Sequence, residues 1–141
     1  MLSRMPLVAF VPTSDFKRAR VFYEKKLGLP LKSSDDFALV FDAHGITLRV
    51  VKVENHRPVT FTILGWQVKG IEAMVTRLKA RKVTPEIYQW FEQKDGVWTS
   101  PGGDKVAWFK DPDGNTLSLS EHAPVKKRGA KKKKEPSRPS R

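Results

Sequence analysis

Apolar and polar positions change period several times along this chain. Residues 7–11 form an apolar run between Pro6 and Pro12, the pattern of a short buried strand. Phe16, Ala19, Phe22, Tyr23 and Leu27 follow at helical spacing and define one apolar helix face. Ser14 or Asp15 can cap that helix, Gly28 ends it and Pro30 prevents its continuation. Residues 37–41 and 47–53 read as strands joined around Asp42-Ala43-His44-Gly45, a hairpin in which His44 tolerates an unusual φ. Residues 54–58 are polar, contain Pro58 and suit a linker. The order then recurs. Residues 60–68 predict a strand, and Ile71, Met74, Val75 and Leu78 a helix with Lys and Arg on its other side. Residues 84–90 predict another strand. Residues 92–104 are turn-rich, with Asp95-Gly96 and Pro101-Gly102-Gly103, and residues 106–110 and 116–120 form a last hairpin around Asp111-Pro112-Asp113-Gly114-Asn115.

The two halves align with each other. Setting Gly45 on Gly114 places Thr47-Leu48 on Thr116-Leu117, and Arg49 and Ser118 become equivalent. Setting Asp15 on Gly70 places Phe16 on Ile71 and Val8 on Ile63. Each half therefore reads strand, helix, three strands. This predicts an α+β domain over residues 1–122: two βαβββ modules, about 6–54 and 59–122, forming a curved mixed sheet (a cup) with the helices on its outer face.

Composition narrows the chemistry. The chain has no cysteine, which excludes disulfides and thiolate catalysis and leaves only His and carboxylates for any zinc site. No apolar run is long enough to span a membrane, and residues 1–6 lack a signal-peptide stretch, so a cytoplasmic location without membrane contact is expected. The net charge of +12 is uneven: residues 123–141 carry nine Lys or Arg against Glu135, and residues 1–122 carry 18 basic against 14 acidic side chains. Residues 123–141 bury too little to offset ordering and are expected to be disordered. Residues 126–141 read either as an arm making weak nucleic-acid or polyanion contact or as a solubilising extension, since no aromatic residue interleaves the charges.

The strand–helix–three-strand repeat, with Phe22-Tyr23-Glu24-Lys25-Lys26-Leu27-Gly28-Leu29 early and Asp111-Pro112-Asp113-Gly114-Asn115 late, resembles the vicinal oxygen chelate superfamily over residues 7–122. That superfamily includes glyoxalase I, bleomycin-resistance proteins and extradiol dioxygenases. The resemblance implies a ligand in the cup. It also implies, for the metal enzymes of the group, ligands from the first and last strands of each module. Those positions fall on Val8, Ile63, Arg49 and Ser118. Two aliphatic chains, a guanidinium and a hydroxyl cannot gather a divalent cation. The expectation is therefore no metal, no cofactor and a small organic ligand, anionic or aromatic. The resemblance to bleomycin-resistance binders adds a homodimer.

Strand alternation places Ser118 and Ser120 on one face and Leu117 and Leu119 on the other, and the resemblance implies that the serines face the cup. On the same implied geometry Arg49, Val8, Phe10, Phe61 and Ile63 line the cup, and Trp108 joins them by its alignment with Leu39. Arg49 could clamp a carboxylate or phosphate, stack on an aromatic ligand, or pair with an internal acid such as Glu54 or Glu86. Trp108, Phe10 and Phe61 suit either a ligand or ordinary packing, and the two serines either a ligand or water. The segment 92–104 is the candidate lid, closing with Trp98, or else an ordered loop with Trp98 against the sheet. His44, His56 and His122 have no metal spacing, and Glu121 with His122 is a weak candidate for a base at the cup mouth. Asp111 and Asp113 read as backbone caps of their turn. Catalytic residues are not identifiable. The competing functions are a lyase, isomerase or dioxygenase-type enzyme with a non-standard site, and a polyanion-associated protein acting through the basic tail.

Overall fold

The computed structural model of the chain describes residues 1–124, so the expected disorder of the basic tail lies outside the described residues from 125 onward. The first module runs β1 (Val8–Thr13), α1 (Phe16–Arg20), β2 (Leu31–Ser34), β3 (Ala38–Ala43) and β4 (Ile46–Lys52). The second runs β5 (Thr62–Gln67), α2 (Ile71–Ala80), β6 (Gln93–Lys94), β7 (Val97–Thr99), β8 (Lys105–Lys110) and β9 (Thr116–Glu121). Two mixed sheets result, ordered β1-β4-β3-β2 and β5-β9-β8-β7-β6. In each, the first strand runs parallel to the last and the remaining pairs are antiparallel. Register shifts at Leu31/Ser33 and Thr62/Leu64 add the local bend that bulges impose.

Asp15 caps α1, its Oδ1 accepting from the Lys17 and Arg18 amides at 2.9 and 3.2 Å. After Arg20 the helix widens into a π-helical turn over Val21–Lys26, and the Leu27 amide bonds the Phe22 carbonyl. In that stretch the adjacent Phe22 and Tyr23 are both buried. α2 starts at Gly70, which has no capping side chain, and Glu121 supplies the cap from the end of β9. Its carboxylate accepts from the Gly70 and Ile71 amides at 3.1 and 3.0 Å. The core lies between the helices and the sheets. Val11, Phe41, Leu48 and Val50 of the first sheet and Ala107, Phe109, Leu117 and Leu119 of the second join Ala19, Phe22, Tyr23, Ile71 and Val75 in one cluster.

The expected strand over 84–90 does not form. Pro85 has no amide to donate, and the segment keeps one ladder-like bond to β8, from the Glu86 amide to the Trp108 carbonyl at 2.7 Å. The candidate lid is also corrected in form: within 92–104, β6 and β7 make a hairpin, and Trp98 is a strand residue paired with Val106.

The Asp-Pro-Asp-Gly-Asn turn clasps the two modules. Tyr23 donates its hydroxyl to Asp111 Oδ2 at 2.6 Å. The same oxygen accepts from Asn115 Nδ2 at 2.8 Å, and Oδ1 takes the Asp113 and Asn115 amides. Asn115 Nδ2 also reaches the Pro12 carbonyl in β1 at 3.0 Å. Its amide nitrogen is thereby committed to donating, so Oδ1 must accept from His56 Nε2, 2.7 Å away, and His56 carries a proton there. Asp113 reaches the first module: it accepts from Thr13 Oγ1 and from the Ser14 amide and hydroxyl at 2.5, 2.8 and 2.6 Å. Partial burial alone would raise the Asp113 pKa, but the bonds from Ser14 and Thr13 outweigh it and hold the carboxyl below its ordinary value. The ionised form is thus favoured by folding. Its contribution is complete above the ordinary carboxylate range and is lost as pH falls through the lowered folded value. The urea midpoint is expected to drop between about pH 5 and pH 2, and to drop less in Asp113→Asn. Equal acid sensitivity in the two proteins would contradict this assignment.

Candidate functional site

The face of each sheet turned away from the helices is the cup face. In the first sheet Phe10 pairs with Arg49, and Arg49 with Val40. Leu48 and Val50 point the other way into the core, which leaves Arg49 half-buried on the cup side. Neither Glu54 nor Glu86 holds Arg49: it forms no ion pair among the described residues. Its charge is felt by Asp35, whose carboxyl is lowered first by the Phe37 and Ala38 amides and further by Arg49. Val8 pairs with Thr47, two residues along, in the next cross-strand row of the same face. Val8 and Phe10 are 43% and 60% exposed, so the edge of this face is open.

In the second sheet Gly65, Ser118 and Trp108 form one cross-strand row, and Gln67, Ser120, Val106 and Trp98 the next. A Cβ at Gly65 would lie 2.8 Å from Ser118 Oγ, so only glycine leaves that hydroxyl its place. Ile63 sits at the register shift and packs against the core, while Phe61, just before β5, is 66% exposed. Glu121 falls on the helix side by the same alternation and is spent on the α2 cap. It is therefore not a base at the cup mouth, and His122 lies 4.0 Å from Asp104 instead.

The feature not foreseen from the sequence is a wall of five aromatic rings. Phe91 lies parallel to Trp108, with centroids 5.1 Å apart and planes 5° apart, and contacts Trp98 at 4.7 Å. Tyr88 meets Trp108 edge-on at 5.4 Å and stacks on Trp90 at 5.3 Å. Trp90 remains 74% exposed at the outer end of the wall. The signal was present as an aromatic concentration in residues 88–108, but reading 84–90 as a strand gave Tyr88 and Trp90 no role. On the opposite, helix side, Leu27, Leu29, Met74, Leu78, Phe109 and Leu119 line a separate cavity of 210 Å³.

The four positions at which the resemblance implies metal ligands do not fit a cation. Val8, Ile63, Arg49 and Ser118 offer no carboxylate or imidazole, and the described residues contain no group of three His, Cys, Asp or Glu that could hold a metal. No helix among them is long and apolar enough to cross a membrane.

Two modules of like order, βαβββ and, with one extra strand, βαββββ, with outer helices and an open inner face, define the class of the protein. The model of the Glyoxalase/Bleomycin resistance protein/Dioxygenase superfamily matches residues 5–119, and the chain belongs to that superfamily. No curated protein sequence matches it. Solved structures share the fold at low identity. A glyoxalase family protein from Enterococcus faecalis is 18% identical, covers 86% of this chain and 100% of its own, and superposes with a TM-score of 0.69. A glyoxalase/bleomycin resistance protein/dioxygenase from Alicyclobacillus acidocaldarius gives 17%, 84%, 92% and 0.67. Lactoylglutathione lyase from Agrobacterium tumefaciens gives 14%, 84%, 93% and 0.65.

Proposed function

We propose that the cup face binds a small, planar organic anion, without a metal and without chemical turnover, in the cytoplasm. The observation that carries this reading is the aromatic wall of Tyr88, Trp90, Phe91, Trp98 and Trp108 on that face. A cluster of aromatic rings, with Trp90 exposed at its end, favours a flat partner, and a few oriented polar groups beside apolar walls are the ordinary makeup of a small-molecule site. Arg49, without an ion-pair partner among the described residues, supplies a cation for a carboxylate or phosphate, and Ser118 and Ser120 supply hydroxyls. Metal independence rests on the residue types at the four positions named above. β1 and β5 are the edges of their sheets and expose Val8, Phe10 and Phe61. A second copy covering those edges is the assembly this reading adopts.

The test is a thermal-shift screen of aromatic carboxylates and phosphates. A stabilising compound is expected to lose roughly 10–100-fold in affinity in Arg49→Ala, the worth of one charge-assisted contact. Equal binding by the variant, or stoichiometric metal lost together with binding on chelation, would overturn the reading.

A further inference from the structure

We infer that the helical face of the folded domain, opposite the cup, is a docking surface for the phosphate backbone of a nucleic-acid duplex. Residues 15–28 and 69–82, which form the two helices and their ends, carry ten Lys or Arg against three acids, a balance of +7. The rest of residues 1–122 carries eight basic and eleven acidic side chains, a balance of −3. The folded domain is therefore polarised, positive on the helix layer and negative elsewhere, although its total is only +4.

Cations in the last turn of a helix are common because they complement its dipole. That accounts for Arg77 and Lys79 on α2, and Asp15, 3.4 Å away, accounts for Arg18, but Lys17, beside the Asp15 cap of a helix that runs on to Lys26, has no ion-pair partner among the described residues. The two charged stretches are also continuous. Arg81, just past α2, donates from Nη1 to the Lys26 carbonyl at 3.2 Å, so the C-terminal ends of both helices meet in one basic zone. Glu121 caps the N-terminus of α2, so the described residues end, at 124, three positions past a side chain bonded to the same layer, and residues 123–141 carry their own balance of +8.

The partner follows from what the layer lacks. The apolar face of α2 is buried through Ile71 and Val75, and Val21 is the one large apolar side chain exposed on either helix. An interfacial membrane helix needs an apolar face to insert. Single strands are held by exposed aromatic rings, and the helix layer presents none. Exposed cations on the helices, most of them without an ion pair among the described residues, suit the regular phosphate rows of a duplex, contacted without reading sequence.

The experiment uses the full chain and a fluorescein-labelled 20-base-pair duplex of arbitrary sequence, titrated by anisotropy between about 50 and 200 mM salt. Lys17, Lys25, Arg77 and Lys79 are exposed and form no ion pair among the described residues. Replacing all four with Gln is expected to weaken binding at least tenfold near 0.1 M salt and to make the slope of log affinity on log salt shallower by about three. The variant Lys17→Arg, Lys25→Arg, Lys79→Arg, which keeps the charges, should bind as the wild type does. Acetylation footprinting of the unmodified protein provides a readout that needs no variant, with duplex expected to protect Lys17, Lys25 and Lys79. Protection confined to residues 126–134, an unchanged salt slope in the Gln variant, no duplex binding at 50 mM salt, or binding to phosphatidylserine vesicles but not to duplex would each overturn the inference. The cup screen reads a different face, so either proposal can fail without the other.

Discussion

Replacing Asp111 with alanine is expected to lower the thermal midpoint by roughly 10–20 °C. Asp111 is 5% exposed and accepts four hydrogen bonds, from the Tyr23 hydroxyl, the Asn115 side chain and the Asp113 and Asn115 amides. Alanine leaves all four donors without that partner, two of them on fully buried side chains. A network broken from its centre costs about 3–5 kcal/mol, against about 1 kcal/mol for one ordinary hydrogen bond. Burial, and then the charge of Asp111, push the Tyr23 phenol far above its ordinary value, so Tyr23 remains a donor throughout the working pH range. Tyr23→Phe removes one donor and keeps the carboxylate's other three, and should cost only about 1–2 kcal/mol. Urea unfolding of both variants separates the cases. If Asp111→Ala were no worse than Tyr23→Phe, the turn would be a local cap and not the clasp between modules.

That distinction marks where the sequence was legible. Parity along residues 116–120 correctly separates Ser118 and Ser120 from the buried Leu117 and Leu119, because alternation is a local property of an extended chain. The internal duplication likewise shows in both sheets, whose first and last strands pair in the same parallel way. The same parity applied one residue further would have sent Glu121 to the helix side, where it caps α2. The clasp was hidden because its partners lie far apart in sequence: Tyr23 to Asp111 and Thr13 to Asp113 are side-chain contacts that no local period encodes. The aromatic wall was hidden for a related reason. Its rings come from β7, β8 and an irregular stretch after Pro85, and only the folded sheet assembles them.

Gly96→Ala is expected to cost about 3–5 kcal/mol, and Gly45→Ala only about 1–2 kcal/mol, although the two glycines hold the same place in the same kind of turn. His44-Gly45 joins β3 to β4 with φ of 52° and 87°, and Asp95-Gly96 joins β6 to β7 with φ of 53° and 89°. Both are two-residue loops with positive φ throughout, the twist that suits a tight hairpin. Alanine strains either backbone alike. The difference lies in the surroundings. Nothing lies within 4 Å of a Cβ at Gly45, whereas a Cβ at Gly96 would overlap the ring of Pro85. Pro85 cannot yield freely, because Val83 beside it is buried in the core and the Glu86 amide is bonded to β8. The hairpin must therefore lift, and with it Trp98, whose ring lies 4.7 Å from Phe91 at a 38° tilt. Gly96→Ala should thus change tryptophan fluorescence and near-UV dichroism in the native state and weaken the ligand found for the cup, while Gly45→Ala should leave both signals unchanged. Equal destabilisation by the two substitutions would show that the backbone angle, and not the Pro85 contact, governs the hairpin. Loss of stability in Gly96→Ala with an unaltered tryptophan spectrum would show that Trp98 holds its place in the wall without the hairpin's support.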